Sequence, residues 1–296
     1  MTTVAKRPNE AGPHGVVVID KPRGWTSHDV VAKARGVLGT RKIGHSGTLD
    51  PDATGVLVLG VGRATRLLRF LTELPKSYHG EIVLGTETST LDAAGEVTAT
   101  HDMTSVVAEQ VAAAAADLTG DLLQIPPMVS AIKIDGKRLH ELAREGKEIE
   151  RPPRPVHVGR FDIEPLEGEP LAYACSVDCS SGTYIRSLAA DLGKALDGGA
   201  HLRLLRRTSV GGFGLDQATT IEAPVLLPIG VAVAHLNEAV VDAATAAAVG
   251  HGRVLSLDDL GVSGDGPWAV FDTDNELLAV YEPHERGGKP TVVIPR

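Results

Sequence analysis

The pattern of apolar and charged residues changes near residue 220, and this change most limits the folds open to the chain. Up to that point, short apolar runs typical of strands alternate with stretches typical of helices. Beyond it, short strands follow one another through tight turns, a pattern typical of a small β-barrel. A length of 296 residues leaves room for two domains. We predict them over residues 1–225 and 226–296.

Charge follows the same division. Residues 1–220 hold 25 Lys and Arg against 27 Asp and Glu, whereas residues 221–296 hold 4 against 11. The net charge of −9 taken alone argues against a nucleic-acid-binding protein, because phosphate contacts need cations. The nearly neutral first part nevertheless has five basic clusters, each either a solvated face or part of one basic surface. They are Arg35/Arg41/Lys42, Arg63/Arg66/Arg69, Lys133/Lys137/Arg138, Arg151/Arg154 and Arg203/Arg206/Arg207.

Two segments of the first domain carry specific structural predictions. A helix is predicted from about His28 to Leu38, and Ser27 is favoured over Thr26 as its N-cap because Asp29 then lies in the first turn. Residues 124–154 carry many charges and have a Pro-Pro pair near each end, Pro126-Pro127 and Pro152-Pro153. They are therefore predicted to leave the core, with a helix from about Leu139 to Glu145.

Several functional classes lack their signatures in this sequence. No apolar run approaches the roughly 20 residues that span a bilayer, and residues 1–10 lack the apolar core of a signal peptide. The two cysteines, Cys175 and Cys179, form no disulfide framework, which favours a cytoplasmic location. The phosphate-binding glycine loops, the serine-hydrolase motif and the usual metal-ligand spacings are absent from the sequence, so no metal is expected.

One loop of the sequence could carry chemistry. It contains three glycines and an Asp-Pro pair. It reads Gly44-His45-Ser46-Gly47-Thr48-Leu49-Asp50-Pro51-Asp52-Ala53-Thr54-Gly55. An Asp before Pro is held in an extended conformation, and glycine lets the backbone approach a ligand closely. On pattern alone, Asp50 belongs either to a structural turn or to a reactive site, and Asp52 is either its partner or a solvated side chain.

This loop closely resembles the catalytic motif of the TruB-type bacterial tRNA pseudouridine-55 synthases. Five further groups of residues resemble motifs of the same family in the same order, and together they cover about residues 13–215. They are Asp20-Lys21-Pro22-x-Gly24-x-Thr26-Ser27; Lys76-Ser77-Tyr78 with Leu84-Gly85-x-x-Thr88-x-Thr90-x-Asp92-x-x-Gly95; Gln124-x-Pro126-Pro127-x-x-Ser130-Ala131-x-Lys133 with Gly136-x-Arg138; Cys179-Ser180-x-Gly182-Thr183-Tyr184-Ile185-Arg186; and Gly199-Ala200-His201-Leu202-x-x-Leu205-Arg206-Arg207.

The resemblance implies a fold and a reaction. The fold is α+β: a mixed, mainly antiparallel pseudouridine-synthase sheet flanked by helices, a mobile insertion at about 124–154, and a C-terminal PUA-like β-barrel. The reaction detaches uracil from its ribose, rotates it and reattaches it through C5. Because this isomerisation has no redox change, no cofactor is expected. The implied partner is the T-arm and elbow of tRNA, and we expect a cytoplasmic monomer.

The resemblance also implies roles for individual side chains. Asp50 matches the nucleophile, and Arg186 matches the neighbouring cation that would lower the carboxylate pKa. Tyr78 matches the active-site tyrosine that stacks on the flipped base. Four more residues match substrate-binding positions. They are His45, which fills the space left by the base, the basic Lys21, and Tyr184 and Leu205 in the pocket lining.

Two departures from the family and two rival functions stay open at this point. The net charge of −7 over residues 221–296 predicts weak attraction of the C-terminal domain to phosphate, and His140 stands where relatives commonly have an aromatic Tyr. One rival is a tRNA-binding hydrolase or glycosylase that uses Asp50. The other is a non-catalytic RNA chaperone of the same fold.

Overall fold

Seventeen strands and six helices make up the parts of the chain that the computed structural model describes, which are residues 12–130, 133–134, 137–139 and 149–295. The strands are β1 Gly15–Lys21, β2 Ile43–His45, β3 Thr54–Val61, β4 Lys76–Leu84, β5 Thr86–Thr88, β6 Val97–Thr100, β7 Gly120–Gln124, β8 Lys133–Ile134, β9 Lys137–Arg138, β10 Arg154–Leu166, β11 Glu169–Cys179, β12 Ala200–Val210, β13 Phe213–Gly214, β14 Asn237–Val240, β15 Trp268–Phe271, β16 Leu277–His284 and β17 Gly287–Val293. The helices are α1 Ser27–Val37, α2 Leu68–Thr72, α3 Ala108–Asp117, α4 Ile185–Ala195, α5 Ala243–Gly250 and α6 Leu257–Leu260, with 3₁₀ turns at Gly62–Leu67 and Ile229–Val233.

A nine-stranded sheet forms the centre of the first region, in the order β1-β3-β12-β4-β11-β10-β7 with β2 added to β3 and β13 to β12. Its pairs are antiparallel except for a short parallel contact between β3 and β12. The strand β3 is apolar along nearly its whole length because both of its faces are buried. The predicted mixed, mainly antiparallel sheet with flanking helices is thus confirmed.

The start of α1 differs from the prediction. Thr26 is the N-cap: its hydroxyl accepts from the Asp29 amide at 3.1 Å, and the Asp29 carboxylate accepts from the Thr26 amide at 2.9 Å. This reciprocal capping box satisfies two amides at once. Ser27 has another role, since its hydroxyl accepts from the Leu49 amide at 2.9 Å and lies 3.3 Å from the Leu49 carbonyl oxygen. The preference for Ser27 as the cap was therefore wrong.

The C-terminal region forms a four-stranded sheet in the order β14-β15-β16-β17. An antiparallel hairpin joins β15 and β16 across residues 272–276, in line with the tight turns predicted for this region. The predicted barrel is not confirmed, because this sheet is open among the described residues, with β14 and β17 at its edges.

The two regions share one apolar core. Val16 and Phe70 belong to the same buried cluster as Phe271, Leu277 and Val280 of the C-terminal sheet. Polar contacts lie at the same junction. Arg69 forms an exposed ion pair with Glu282, with an NH2–Oε1 distance of 2.6 Å, and Arg66 donates to the Val293 carbonyl at 2.7 Å. One of the predicted basic clusters therefore contacts the acidic C-terminal sheet.

Within the described residues, none of the helices has the length and apolar character needed to cross a membrane. The predicted helix at about 139–145, with His140, lies outside the described residues apart from Leu139, which is buried. The side chains of Lys133, Lys137 and Arg138 also lie outside them.

Candidate active site

The loop between β2 and β3 is anchored to the segment that follows β1. Besides the two bonds of Ser27 to Leu49, the Pro51 carbonyl accepts from the Gly24 amide at 2.8 Å and from the Lys21 ammonium at 3.1 Å. Leu49 is buried on one side of Asp50. With its neighbours fixed on both sides, the Asp50 carboxylate is held in one position at the surface of the sheet.

Arg186, in the first turn of α4, forms an ion pair with this carboxylate. The Arg186 Nε–Asp50 Oδ2 distance is 3.0 Å and the NH2–Oδ1 distance is 3.3 Å, which is the bidentate arrangement of a strong charge-assisted pair. The Arg186 side chain is only 5% exposed, whereas the Asp50 side chain is 41% exposed. The cation is therefore buried behind the carboxylate, and the carboxylate faces the open space.

A second carboxylate, Asp92, lies on the other side of the Arg186 guanidinium at 3.5 Å. Its Oδ1 accepts from the Thr90 hydroxyl and from the Ala94 amide at 3.1 Å, so its orientation is fixed. The guanidinium also donates to the carbonyls of Thr90 at 2.9 Å and Val129 at 2.8 Å. Asp92 was not predicted as a site residue. Its position in the motif Thr88-x-Thr90-x-Asp92 could have indicated that role.

Burial raises the pKa of Asp50 above its usual value, and the charge on Asp92 raises that pKa further. The Arg186 guanidinium lowers it, as the sequence predicted, but the effect of burial is larger. Arg186 thus opposes an environment that would otherwise favour the protonated acid.

The neighbouring strands β4 and β12 bring Tyr78, Lys76 and Arg207 to the site. Tyr78 pairs directly with Arg207 in the β4–β12 register, and Lys76 lies two residues before Tyr78 on the same face of β4. Burial raises the pKa of the Tyr78 hydroxyl, while Arg207, within hydrogen-bonding reach of it, lowers that pKa. Leu205, two residues before Arg207, completes this face of the sheet.

These two groups of residues line one cavity of about 240 Å³. Five of the seven predicted site residues line it together: Asp50, Tyr78, Tyr184, Arg186 and Leu205. Lys76 and Arg207 line it as well. Neither was predicted as a site residue: Lys76 belongs to a family motif, and Arg207 belongs to a motif and to a basic cluster.

Tyr184 is positioned by its backbone. The Gln124 side-chain amide donates to the Tyr184 carbonyl at 3.1 Å, and its oxygen accepts from the Tyr184 amide at 2.7 Å. This two-way bond joins the end of β7 to the residue that precedes α4. It therefore fixes both Tyr184 and the neighbouring Arg186.

Lys21 and His45 lie apart from the cavity lining. Lys21 is fully buried and donates to the carbonyls of Pro22, Trp25 and Pro51, and burial lowers its pKa to about 8 despite the nearby Asp50. Lys21 therefore stabilises the Asp50 loop through the Pro51 carbonyl and does not line the cavity.

The His45 ring is packed edge-on against His28, with ring centres 5.4 Å apart. Its Nδ1 accepts from the Gly47 amide at 3.3 Å. Burial, reinforced by His28 and Arg207, lowers the pKa of His45 to about 4, so the ring is neutral at pH 7.

The arginines of the last predicted basic cluster are engaged in internal contacts. Arg206 forms a bidentate pair with Asp20 at 2.7 and 3.0 Å, Arg203 pairs with Glu81 and Glu169, and Arg207 is buried. Among the described residues, no three His, Cys, Asp or Glu side chains are grouped as a metal site would need. Cys175 and Cys179 are buried free thiols, and burial raises their pKa values to about 12 and about 11.

Comparison with known proteins identifies relatives over nearly the whole chain. The sequence model of the TruB family pseudouridylate synthase N-terminal domain matches residues 35–185, and that of the tRNA pseudouridylate synthase B C-terminal domain matches residues 186–228. The tRNA pseudouridine synthase B of Streptomyces coelicolor is 47% identical over 294 residues, covering 95% of this chain and 97% of the relative. That of Mycobacterium ulcerans is also 47% identical, with coverages of 96% and 95%.

Solved structures have the same fold. One chain in the crystal structure of a Cbf5-Nop10-Gar1 complex aligns with a TM-score of 0.73 at 28% identity, covering 98% of this chain and 87% of that chain. A chain from an H/ACA ribonucleoprotein bound to a substrate RNA containing 2′-deoxyuridine aligns with a TM-score of 0.72 at 24% identity, with coverages of 96% and 86%.

Proposed function

The chain belongs to the TruB family and is an enzyme that isomerises uridine to pseudouridine in tRNA, and from this premise we propose that Asp50 is its catalytic carboxylate. The observation that carries the proposal is the bidentate Asp50–Arg186 pair at the edge of the cavity. A carboxylate can act as a nucleophile toward the ribose or base, or as a base toward a sugar proton. Each of these roles requires the ionised form.

The target is uridine 55 in the T-loop of tRNA, by resemblance to the family. A base buried in the tRNA elbow must be flipped out, at a cost of a few kcal/mol. Tyr78 then stacks on the base in the cavity, a contact worth ~1–3 kcal/mol. Tyr184 and Leu205, which line the same cavity, bound the position of the ring.

His45 and Lys21 serve this reaction indirectly. The neutral His45 ring beside the exposed His28 is available to fill the gap that the flipped base leaves in the RNA. Lys21 stabilises the Asp50 loop through the Pro51 carbonyl and adds positive charge near the substrate. The T-arm and elbow of tRNA are thus the proposed partner, and the enzyme works as a cytoplasmic monomer without a cofactor.

The domains of this enzyme are a catalytic domain over 1–225, with an RNA-clamping insertion at about 124–154, and a PUA-like domain over 226–296. Backbone hydrogen bonds of 3.1 and 2.8 Å join Val16 of the first domain to Leu227, just past the proposed boundary. Acidity of the C-terminal region supports only a minor part for it in RNA binding.

The Asp50→Asn variant tests the proposal with tRNA transcripts tritiated at C5 of uracil. The wild type releases tritium when C5 becomes bonded to ribose. We expect the variant to release it at least about 10³-fold more slowly, because removal of a nucleophile has effects of this size or larger. Its tRNA affinity should stay within tenfold of the wild type. Near-normal release by the variant would show that Asp50 is not the catalytic group.

A further inference from the structure

The cavity that Asp50 lines is also lined by two buried cations, Lys76 and Arg207. Lys76 is 6% exposed and Arg207 is 2% exposed. Their side chains share one face of the sheet because Arg207 is registered opposite Tyr78 and Lys76 lies two residues before Tyr78. Both side chains line the same cavity as Asp50.

The hydrogen-bond partners of these two cations are backbone carbonyl oxygens and, for Arg207, the Tyr78 hydroxyl. Lys76 donates to the carbonyls of Thr72 and Leu74, and Arg207 donates to those of Val56 at 2.7 Å and Gly47 at 3.2 Å. Across the described ranges, neither one is within salt-bridge distance of a carboxylate. Arg186, Arg203 and Arg206 all have carboxylate partners.

Support of the backbone does not explain two positive charges in this position. A neutral donor can satisfy a carbonyl oxygen, whereas burying a cation without a counter-ion costs several kcal/mol. The cost is visible at Lys76, where burial and the charge of Arg207 lower the ammonium pKa to about 8. Charges retained at such a cost are typical of sites that stabilise a negative charge on a ligand.

We propose that Lys76 and Arg207 form an anion site that stabilises the uracil base while it is detached from the ribose. The inference rests on the proposed role of Asp50. The N1–C1′ bond breaks with its electron pair remaining on N1, so the base becomes an anion whose charge spreads to O2 and O4. The Asp50 carboxylate either bonds to C1′ or accepts a proton from C2′. In either case the single negative charge passes from Asp50 to the base.

The cavity is suited to this species. Tyr78 and Leu205 line the cavity together with the two cations and offer the ring an aromatic and an apolar surface. Because the cations are already fixed by Val56, Gly47, Thr72 and Leu74, little reorganisation is needed as the charge develops. The same attraction keeps the detached base in the site while it rotates.

The experiment compares bases that need different amounts of charge stabilisation. Lys76→Gln and Arg207→Gln each remove a charge but keep a donor, and Arg160→Gln is the control, since Arg160 is exposed and paired with Asp178 and Asp162. Single-turnover consumption of the target nucleotide, which reports cleavage of the N1–C1′ bond, is measured with uridine and with 5-fluorouridine, whose fluorine stabilises the anionic base and stays on C5. We expect a loss on the order of 10²-fold on uridine for the cavity variants, a loss at least about tenfold smaller on 5-fluorouridine, and no loss for the control.

Equal losses on the two bases, or wild-type rates in both cavity variants, would overturn the proposal. Asp50→Asn is assayed beside them. Activity in that variant would contradict the proposed function itself, whereas an inactive Asp50→Asn with equal losses in the cavity variants would contradict the anion site alone.

A binding measurement on the wild-type protein does not depend on whether the variants fold. The acidic analogue 5-nitrouracil is an anion at pH 7.5, whereas uracil is neutral. We expect the anion to bind at least about tenfold more tightly than uracil, or 1.4 kcal/mol. Equal affinities would contradict the proposal. Tighter binding of inorganic phosphate than of 5-nitrouracil would assign the cations to the RNA backbone instead of the base.

Discussion

Of two arginines that line the cavity, Arg186 lies against two carboxylates, whereas Arg207 lies against none within the described residues. Both arginines are buried and both donate to backbone carbonyls. The difference therefore lies in the counter-charge and not in exposure or hydrogen bonding. Arg186 is suited to keep a carboxylate ionised, and Arg207 is suited to meet a charge that appears during the reaction.

Replacing Arg186 should have the largest effect on this contrast. Arg186→Gln removes the cation that lowers the Asp50 pKa, while burial and Asp92 continue to raise it. Because activity requires ionised Asp50, the rising limb of the rate–pH curve should move to higher pH. At pH 7 we expect a rate loss on the order of 10²-fold, as for other misplaced catalytic groups.

The measurement is the single-turnover rate from pH 5 to pH 9, with tRNA affinity followed separately. Part of the loss should be recovered at the alkaline end. A uniform loss at every pH would mean that Arg186 acts only on the geometry of the site.

Gly55→Ala should disturb both sides of the cavity by a smaller amount. Gly55 has φ +101°, and a Cβ there would lie 2.1 Å from the Arg207 carbonyl oxygen. Strain of this kind costs about 1–3 kcal/mol, and the contact moves the Asp50 loop away from β12.

Gly168→Ala is the matched control, since Gly168 also has positive φ (+77°) but nothing within 4 Å of an added Cβ. Chemical denaturation should show a greater loss of unfolding free energy for Gly55→Ala than for Gly168→Ala. Equal losses would mean that the backbone of β12 gives way without cost.

Arg206→Gln should have the smallest effect and sharpens the contrast with its neighbour Arg207. Arg206 and Asp20 are 40% and 39% exposed, and ion pairs of this kind contribute about 0–1 kcal/mol. We expect a loss of unfolding free energy below about 1 kcal/mol by denaturation, decreasing further in high salt. A loss of several kcal/mol would place Arg206 among the residues that hold the sheet together.

The sequence identified Asp50 and Arg186 as site residues but not Lys76 and Arg207, although all four line the cavity. Asp50 and Arg186 were identified from separate motifs, and the structure brings their side chains together. Arg207 was assigned to a basic cluster with Arg203 and Arg206 because adjacent charged residues resemble a solvated face. The different surroundings of Arg206 and Arg207 follow from strand alternation, because consecutive residues of a strand point to opposite faces. The register of β12 depends on strands far away in sequence, and a bulge between Leu202 and Leu204 interrupts it at Arg203.

Local competition and long-range packing account for the other differences. Ser27 met the criteria for an N-cap, but its hydroxyl bonds to Leu49, 22 residues away, and Thr26 caps the helix instead. Short strands and tight turns predicted a barrel, although the same pattern is compatible with the open sheet of the C-terminal region, whose apolar face packs against Phe70 and Val16.

The position of β12 between β3 and β4 has a consequence for the order of synthesis. β3 and β4 are separated by 14 residues of chain, yet the strand that lies between them, β12, is made more than 100 residues after β4. A nascent chain that lacks residues 200–210 has the Asp50 loop and Tyr78 but no Arg207 to join them. Such non-local pairing slows folding, so the ribosome finishes most of the polypeptide before any uridine can be converted.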